Sequence, residues 1–165
     1  MKSFKVNNIV DNGLVAALYV TISLITYPLS FGMVQFRVAE ILMLLCFFRK
    51  DFAIGLVFGC VITNIASFSP LDILFGSLAT LLSCLVIMFS KHLFIAMLAP
   101  IVFNAFIIGL ELHYLLGEPM WMAIVFVALG EAVVMVVGYV IFMFLKRNKN
   151  FMSIIKANQN LDFKI

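Results

Sequence analysis

The chain has 165 residues, 65% of them hydrophobic, and a mean hydropathy of +1.19, more apolar surface than a water-soluble domain keeps in solution. Its net charge of +3 comes from bases at the ends of apolar runs rather than in a patch, so no nucleic-acid partner is expected. The apolar stretches are far longer than strands and lack period-two alternation. The spans are therefore read as helices, which satisfy their own backbone in lipid.

The opening stretch, MKSFKVNNIVDNGLVAALYVTISLITYPLS, has a basic start and an apolar run. Asn7, Asn8, Asp11 and Asn12 interrupt it and no A-x-A cleavage site follows, so it is expected to stay as the first span. Breaks at charge, Gly and Pro predict six spans: Gly13 to Leu29, Met33 to Phe48, Phe52 to Phe68, Leu71 to Phe89, Leu93 to Leu116 and Met120 to Leu145. The first three fall short of the ~20 residues of an ordinary crossing. Cys46, Cys60 and Cys84 lie inside spans without CxxC spacing and read as small core residues.

Ten of the eleven bases, namely Lys2, Lys5, Arg49, Lys50, Lys91, Lys146, Arg147, Lys149, Lys156 and Lys164, fall on the side of the termini. The positive-inside rule makes that side the cytosol. Arg37 is the exception. The expected fold is an all-α membrane protein, a six-transmembrane-helix bundle with both termini cytosolic. Residues 1–147 form the membrane domain, and residues 148–165 form a polar tail expected as a short surface helix or disorder.

Five of the eight acids, Glu40, Asp72, Glu111, Glu118 and Glu131, fall in the outer half or the outer loops against one base. An ionised group near the bilayer centre costs about 2.5–3.5 kcal/mol even on the lenient insertion scale, so unpaired acids there should face a cavity or meet a ligand. Glu131 lies eleven residues after Met120, roughly 16 Å into a core about 30 Å thick. Asn104, eleven residues after Leu93 on the antiparallel neighbour, reaches a comparable depth, so the two can share a layer. An interhelical hydrogen bond serving as glue is the competing account.

Glu111 follows Asn104 by seven residues on the same helix face and reads either as a further polar group of that column or as a solvated helix end. Arg37 and Glu40 are three apart, which fits an ion pair at a wet surface. With Gln35 and the Phe31-Gly32 turn before them, they also fit a loop folded over a cavity, gripping a planar solute. Asp72 in SPLD fits the third position of a capping box begun by Ser69, or binding. Asn64 fits a helix cap or a cavity wall. Glu118 before Pro119 reads as a helix start, and Trp121 as an interfacial anchor.

Gly13, Ala17 and Thr21 recur every four residues and leave a smooth stripe on the first span; Gly55 and Gly59 make a similar stripe on the third. One of the two stripes is a candidate partner surface. His92 and His113 are on opposite sides, so no metal site joins them. With no G-x-x-x-x-G-K-[ST], HExxH or G-x-S-x-G motif, neither an enzyme nor a cofactor is expected. A polar cavity lined by acids and amides suits a donor-rich or cationic planar solute.

The stretches PLSFGMVQFRVAE, GCVITNIASFSPLDILFGSLATLLS, PIVFNAFIIGLEL and VALGEAVVMVVG, in this order and spacing, closely resemble the QueT family of queuosine-precursor transport proteins. These are substrate-binding (S) components of energy-coupling factor transporters. The resemblance implies a six-helix, multi-pass subunit of the bacterial cytoplasmic membrane that binds a deazaguanine or queuine near the outer face. It also implies docking on a transmembrane coupling protein carrying two ABC ATPases, and it shifts Gly13, Ala17 and Thr21 toward the partner.

For such a solute, Glu131 and Asn104 are expected to take the base, with Glu40, Arg37 and Gln35 closing over it, and Asn64, Asp72 and Glu111 completing the set. Phe31, Phe68 and Phe103 are candidate stacking partners. The rival reading is a stand-alone proton-coupled transporter in which Glu131 exchanges a proton for a cation.

Overall fold

The computed structural model describes residues 6–30, 35–66 and 70–157. Phe31, Gly32, Phe68 and Ser69, with Lys2, Lys5 and Lys164, lie outside the described residues. The described residues contain helices and no strand.

Helix α1 (Val6–Ile25) is already formed seven residues before the expected start of the first span, because Asn8, Asp11 and Asn12 in its polar first turns are engaged. The Asn8 side chain accepts from Arg49, Asp11 pairs with Arg49 and Lys156, and Asn12 Oδ1 accepts the Gly55 backbone N–H at 2.8 Å. Asn12 thereby engages a first-turn donor of α4 (Phe52–Ile65). Pro28, which has no N–H to give, lies just past the end of α1, and a single short turn follows as α2 (Tyr27–Ser30).

The described part of the second expected span is short and mostly buried. A 3-10 helix, Val38–Leu44, runs into one α turn, α3 (Leu45–Phe48), and Met43, Leu44, Cys46 and Phe48 are fully buried. Apart from Glu40, which turns inward, the segment is apolar on every side, has no polar face to turn outward and becomes the centre of the molecule. Helices α1, α4, α5 (Pro70–Phe89), α6 (Leu93–Leu116) and α7 (Met120–Leu145) surround it. In that ring α7 packs on α6, α6 on α5, α5 on α4 and α4 on α1.

Small residues set the closest crossings. A Cβ on Gly59 would stand 3.0 Å from the Ala16 carbonyl oxygen and from Tyr19 Cβ, and one on Gly55 would strike the Asn12 carbonyl. The Gly55/Gly59 stripe is thus consumed against α1 inside the bundle. Gly13, Ala17 and Thr21 point the other way: all three are exposed, and nothing lies within 4 Å of a Cβ built on Gly13.

Helix α5 has Pro70 at its first position, where a missing N–H costs nothing. Helix α6 carries Pro100 inside and stops at Gly117, whose φ of 70° is the left-handed conformation that favours glycine. Among the described residues four helices, α1, α5, α6 and α7, are long and apolar enough to cross a membrane; Val38–Phe48 and Phe52–Ile65 are shorter apolar helical stretches. The outer surface is studded with Leu14, Phe58, Leu74, Phe106, Leu129 and Val133, while Arg37, Glu40, Asp72, Glu111 and Glu131 are inside. That inversion of a soluble protein marks a multi-pass membrane protein.

Past α7, Asn148 caps α8 (Lys149–Ile154), accepting from the backbone N–H groups of Asn150 and Phe151. The tail returns to the core: Phe151 meets the Phe142 ring edge to face, and Lys156 reaches Asp11 at 2.8 Å. The described chain therefore begins and ends at one end of the bundle. The three cysteines are free and buried, as expected of core residues.

Candidate functional site

The site starts from a short non-helical run, Gln35 to Arg37, which turns at Arg37 just before the 3-10 helix, the Val38 backbone N–H donating to the Phe36 carbonyl at 2.9 Å. The Phe36 backbone N–H donates to the Leu29 carbonyl at 2.8 Å, and Ser30 Oγ donates back to the Phe36 carbonyl, so this run is held against α2. On its other side the Gln35 backbone lies directly on Gly130 of α7; a Cβ there would overlap the Gln35 carbonyl. The residue following that contact is Glu131.

Arg37 is enclosed, with 6% of its surface exposed. Its Nη1 donates to Glu40 Oε1 at 3.1 Å, and its Nη2 reaches Asn64 Oδ1 at 3.4 Å and Asp72 Oδ1 at 3.8 Å. One guanidinium thus joins the 3-10 helix, α4 and α5, a task suited to its planar fork. Asn64 Nδ2 donates to the Asp72 carbonyl and to Cys60 Sγ, and Thr80 Oγ1 also donates to Cys60 Sγ. A Cβ on Gly76 would stand 2.5 Å from Asn64 Nδ2 and 3.0 Å from Arg37 Nη2. Tyr19 of α1 is buried and interacts with Cys60, Glu40 and Arg37. A hollow beside it is lined by Tyr19, Ser23, Ser30, Arg37, Thr63 and Asn64.

The second oxygen of Glu40 accepts from Asn104 Nδ2. That contact uses the Asn104 amide nitrogen and leaves its side-chain oxygen without a protein donor. Glu40, Asn104 and Glu131 are fully buried, and Glu131 interacts with Glu40, Arg37 and Asn104. Both Glu131 carboxyl oxygens and Asn104 Oδ1 accept no hydrogen bond from the protein.

All eight expected solute-binding residues are buried. Arg37, Glu40, Asn64, Asp72, Asn104 and Glu131 converge on one centre, and Gln35 adjoins it through its backbone at Gly130. Glu111 lies seven residues along α6 from Asn104 and is 3% exposed, so the solvated-end account of it fails. The wet-surface account of the Arg37–Glu40 pair fails too, since the pair forms but is enclosed. Asn64 bonds the Arg37 side chain and the Asp72 carbonyl, which places it in the wall of the site, as the cavity-wall account expects. Phe103 is half-buried against the core, and Trp121 is exposed near the start of α7.

Sequence reading missed Gly130, Gly76, Tyr19, Cys60 and Thr80 as parts of the site. For the two glycines a signal exists: Gly in a helix interior costs about 1 kcal/mol relative to Ala, and calls for a close approach to justify it. Tyr19, Cys60 and Thr80 carry no such mark.

At the other end of the bundle Arg49, 7% exposed, binds Asp51 through two hydrogen bonds of 2.7 Å, Asp11 at 2.7 Å and Asn8 at 3.3 Å. It also donates to the Ile155 carbonyl at 3.4 Å and stacks over the Phe52 ring at 4.5 Å. The hydrogen bond to Asp51 holds its pKa above the ordinary guanidinium value against the opposing effect of burial.

A membrane-embedded helical bundle enclosing an acid- and amide-rich centre with unfilled acceptors belongs to the class of solute transporters. The family model described as QueT transporter matches residues 9–147, and the chain belongs to that family. The queuosine precursor transporter QueT of Lactococcus lactis subsp. cremoris (strain MG1363) is 33% identical over 156 residues, covering 84% of this chain and 91% of the relative. No solved structure matches the chain. The protein is a substrate-specific membrane transporter.

Proposed function

We propose that this chain is the substrate-binding (S) component of an energy-coupling factor importer that captures a queuosine precursor, a deazaguanine or queuine, at the outer face of a bacterial cytoplasmic membrane. The observation that carries this reading is the trio of buried, unfilled acceptors, the two Glu131 oxygens and Asn104 Oδ1. A buried acceptor without a donor costs about 1–3 kcal/mol, more when charged, so a site that keeps three of them fits a guest rich in donors. A guanine-like edge supplies adjacent N–H groups that acid and amide oxygens can accept, and its carbonyl suits an Arg or amide donor.

In this reading Glu131 and Asn104 meet the solute directly. Glu40 and Arg37 are preorganised by each other and close over it with Gln35, while Asn64 and Asp72 fix Arg37 from behind. Glu111 extends the polar column. The chain crosses six times with both termini cytosolic, the two short apolar stretches serving as crossings buried among longer ones. The exposed Gly13, Ala17 and Thr21 stripe lies against a transmembrane coupling protein that carries two ABC ATPases. Thr21 Oγ1 donates to the Ala17 carbonyl at 2.7 Å, so even its hydroxyl is satisfied within α1 and leaves the stripe smooth.

Calorimetric titration of the purified protein with deazaguanines, guanine and unrelated vitamins tests the reading. Deazaguanines should bind and raise the melting temperature, since ligand binding stabilises the native state. Glu131→Gln and Asn104→Ala should each weaken binding at least tenfold, about 1.4 kcal/mol, while remaining folded. Unchanged affinity in both variants would remove them from the site. Uptake by cells with this chain alone, against cells that also hold the coupling module, separates the S component from a stand-alone proton-coupled transporter.

A further inference from the structure

The charge balance of the site is uneven. Arg37 is the one cation engaged with it among the described residues, and its two ion-pair partners are Glu40 and Asp72. Glu131 is a third carboxyl of the same cluster, fully buried and without a hydrogen bond to either oxygen. Its neighbours fall on the two elements packed against α7. The 3-10 helix and the residue before it bring Glu40 and Arg37; α6 brings Asn104 and, seven residues further on, the buried acid Glu111. None of these brings a second positive charge. Two carboxylates side by side in a low-dielectric interior do not both stay ionised without a compensating cation. The geometry around Glu40 decides which of the two is spoken for: one oxygen is bound by Arg37 and the other by Asn104.

Building on the reading of the site given above, we propose that the empty site holds one proton in the Glu40–Glu131 pair, and that a positively charged arm of the solute takes its place, with Glu131 as counter-charge. The displaced proton leaves to the bulk as the cation enters, so no bond other than the carboxyl O–H is broken. The site then selects a cationic precursor over a neutral one of the same ring. Capture of the cation strengthens as pH rises, by up to about tenfold per pH unit while the pair still carries its proton, because the proton competes with it. The rise levels off once the pair has lost its proton, and capture weakens where the solute's own amine loses its charge, near pH 10 for an alkylamine. A neutral solute displaces no proton and binds with an affinity that does not follow this slope.

Calorimetric titration of the full-length purified protein with an aminomethyl deazaguanine and its cyano counterpart tests this. Titrations in buffers of different ionisation enthalpy at several pH values yield the number of protons released. The aminomethyl compound should bind the wild type at least tenfold more tightly and release close to one proton, and the cyano compound should release none. Glu131→Gln should close the gap between the two and abolish the proton release. Equal wild-type affinities, or no proton released by the aminomethyl compound, would overturn the proposal, and that result is read from the wild type whether or not the variant folds. If neither compound bound, the deazaguanine reading itself would fall, and this proposal with it.

Discussion

At the scale of single residues, the site depends on two glycines as much as on its charged groups. Gly130 lets the Gln35 backbone lie on α7, directly beside Glu131, and Gly76 leaves room for Asn64 and Arg37. Gly130→Ala drives a methyl into a backbone carbonyl that cannot rotate away, so the 35–37 run must shift. Since the acceptor geometry of the site hangs on that run, we expect Gly130→Ala to lower deazaguanine affinity by tenfold or more, read by calorimetry. The same substitution should raise helix propensity by about 1 kcal/mol, so the loss is not the result of a weakened α7.

Arg37 presents a different case, because removing it leaves Glu40 and Asp72 buried without their cation. Breaking such a pair from one side costs about 3–5 kcal/mol. Arg37→Ala should therefore lower the melting temperature sharply, and adding Glu40→Gln should recover part of that loss, the non-additivity expected of contacting groups. Equal melting temperatures for the single and double variants would show that Glu40 does not depend on Arg37.

At the scale of elements, the unusual piece is the 38–48 stretch, a seven-residue 3-10 helix followed by a four-residue α turn, lodged inside five longer helices. Its ends are fastened differently. One end is tied by Arg37 to α4 and α5, and the other end by Arg49 to α1, to Asp51 and to the tail. Arg49 is enclosed and makes several charge-assisted hydrogen bonds, so Arg49→Ala should cost about 2–3 kcal/mol. Lys156 pairs with the same Asp11 but is 54% exposed, and Lys156→Ala should cost less than about 1 kcal/mol. Chemical denaturation of the two variants in the same detergent checks the ordering. A loss for Lys156→Ala as large as that for Arg49→Ala would show that the tail, rather than the buried arginine, holds this end together.

At the scale of the whole molecule, the two small-residue stripes have opposite fates. Gly55 and Gly59 are spent on the α1–α4 crossing, whereas Gly13, Ala17 and Thr21 face outward. A bulky residue on the outward stripe touches nothing inside the bundle. Ala17→Leu should leave deazaguanine binding to the purified protein unchanged and abolish uptake in cells that contain the coupling module. Retained uptake would move the docking surface elsewhere.

Much of this molecule was legible in the chain. Composition dictates a helical membrane protein, since 65% hydrophobic residues cannot be kept from lipid, and the bounds of α6 and α7 fall where charge, Gly and Pro place them. The polar residues of the site stand out for the same reason: Arg37, Glu40, Asn104 and Glu131 are too costly in lipid to be incidental. Seven-residue spacing within α6 also places Asn104 and Glu111 on one face without any coordinates.

Other features only the tertiary structure decided, because they depend on what lies across a gap between segments distant in sequence. Asn7, Asn8, Asp11 and Asn12 read as a break before the first span, yet α1 runs through them, since Arg49, Lys156 and α4 come from elsewhere to engage Asn8, Asp11 and Asn12. The Arg37–Glu40 spacing fits a solvated pair as well as a buried one, and only the helices packed around it exclude the water. Two equivalent stripes of small residues cannot be ranked by spacing, because spacing describes a helix face and not what it meets. Local pattern thus fixed which groups are costly to bury, and packing fixed their partners, leaving Glu131 buried with its oxygens unfilled.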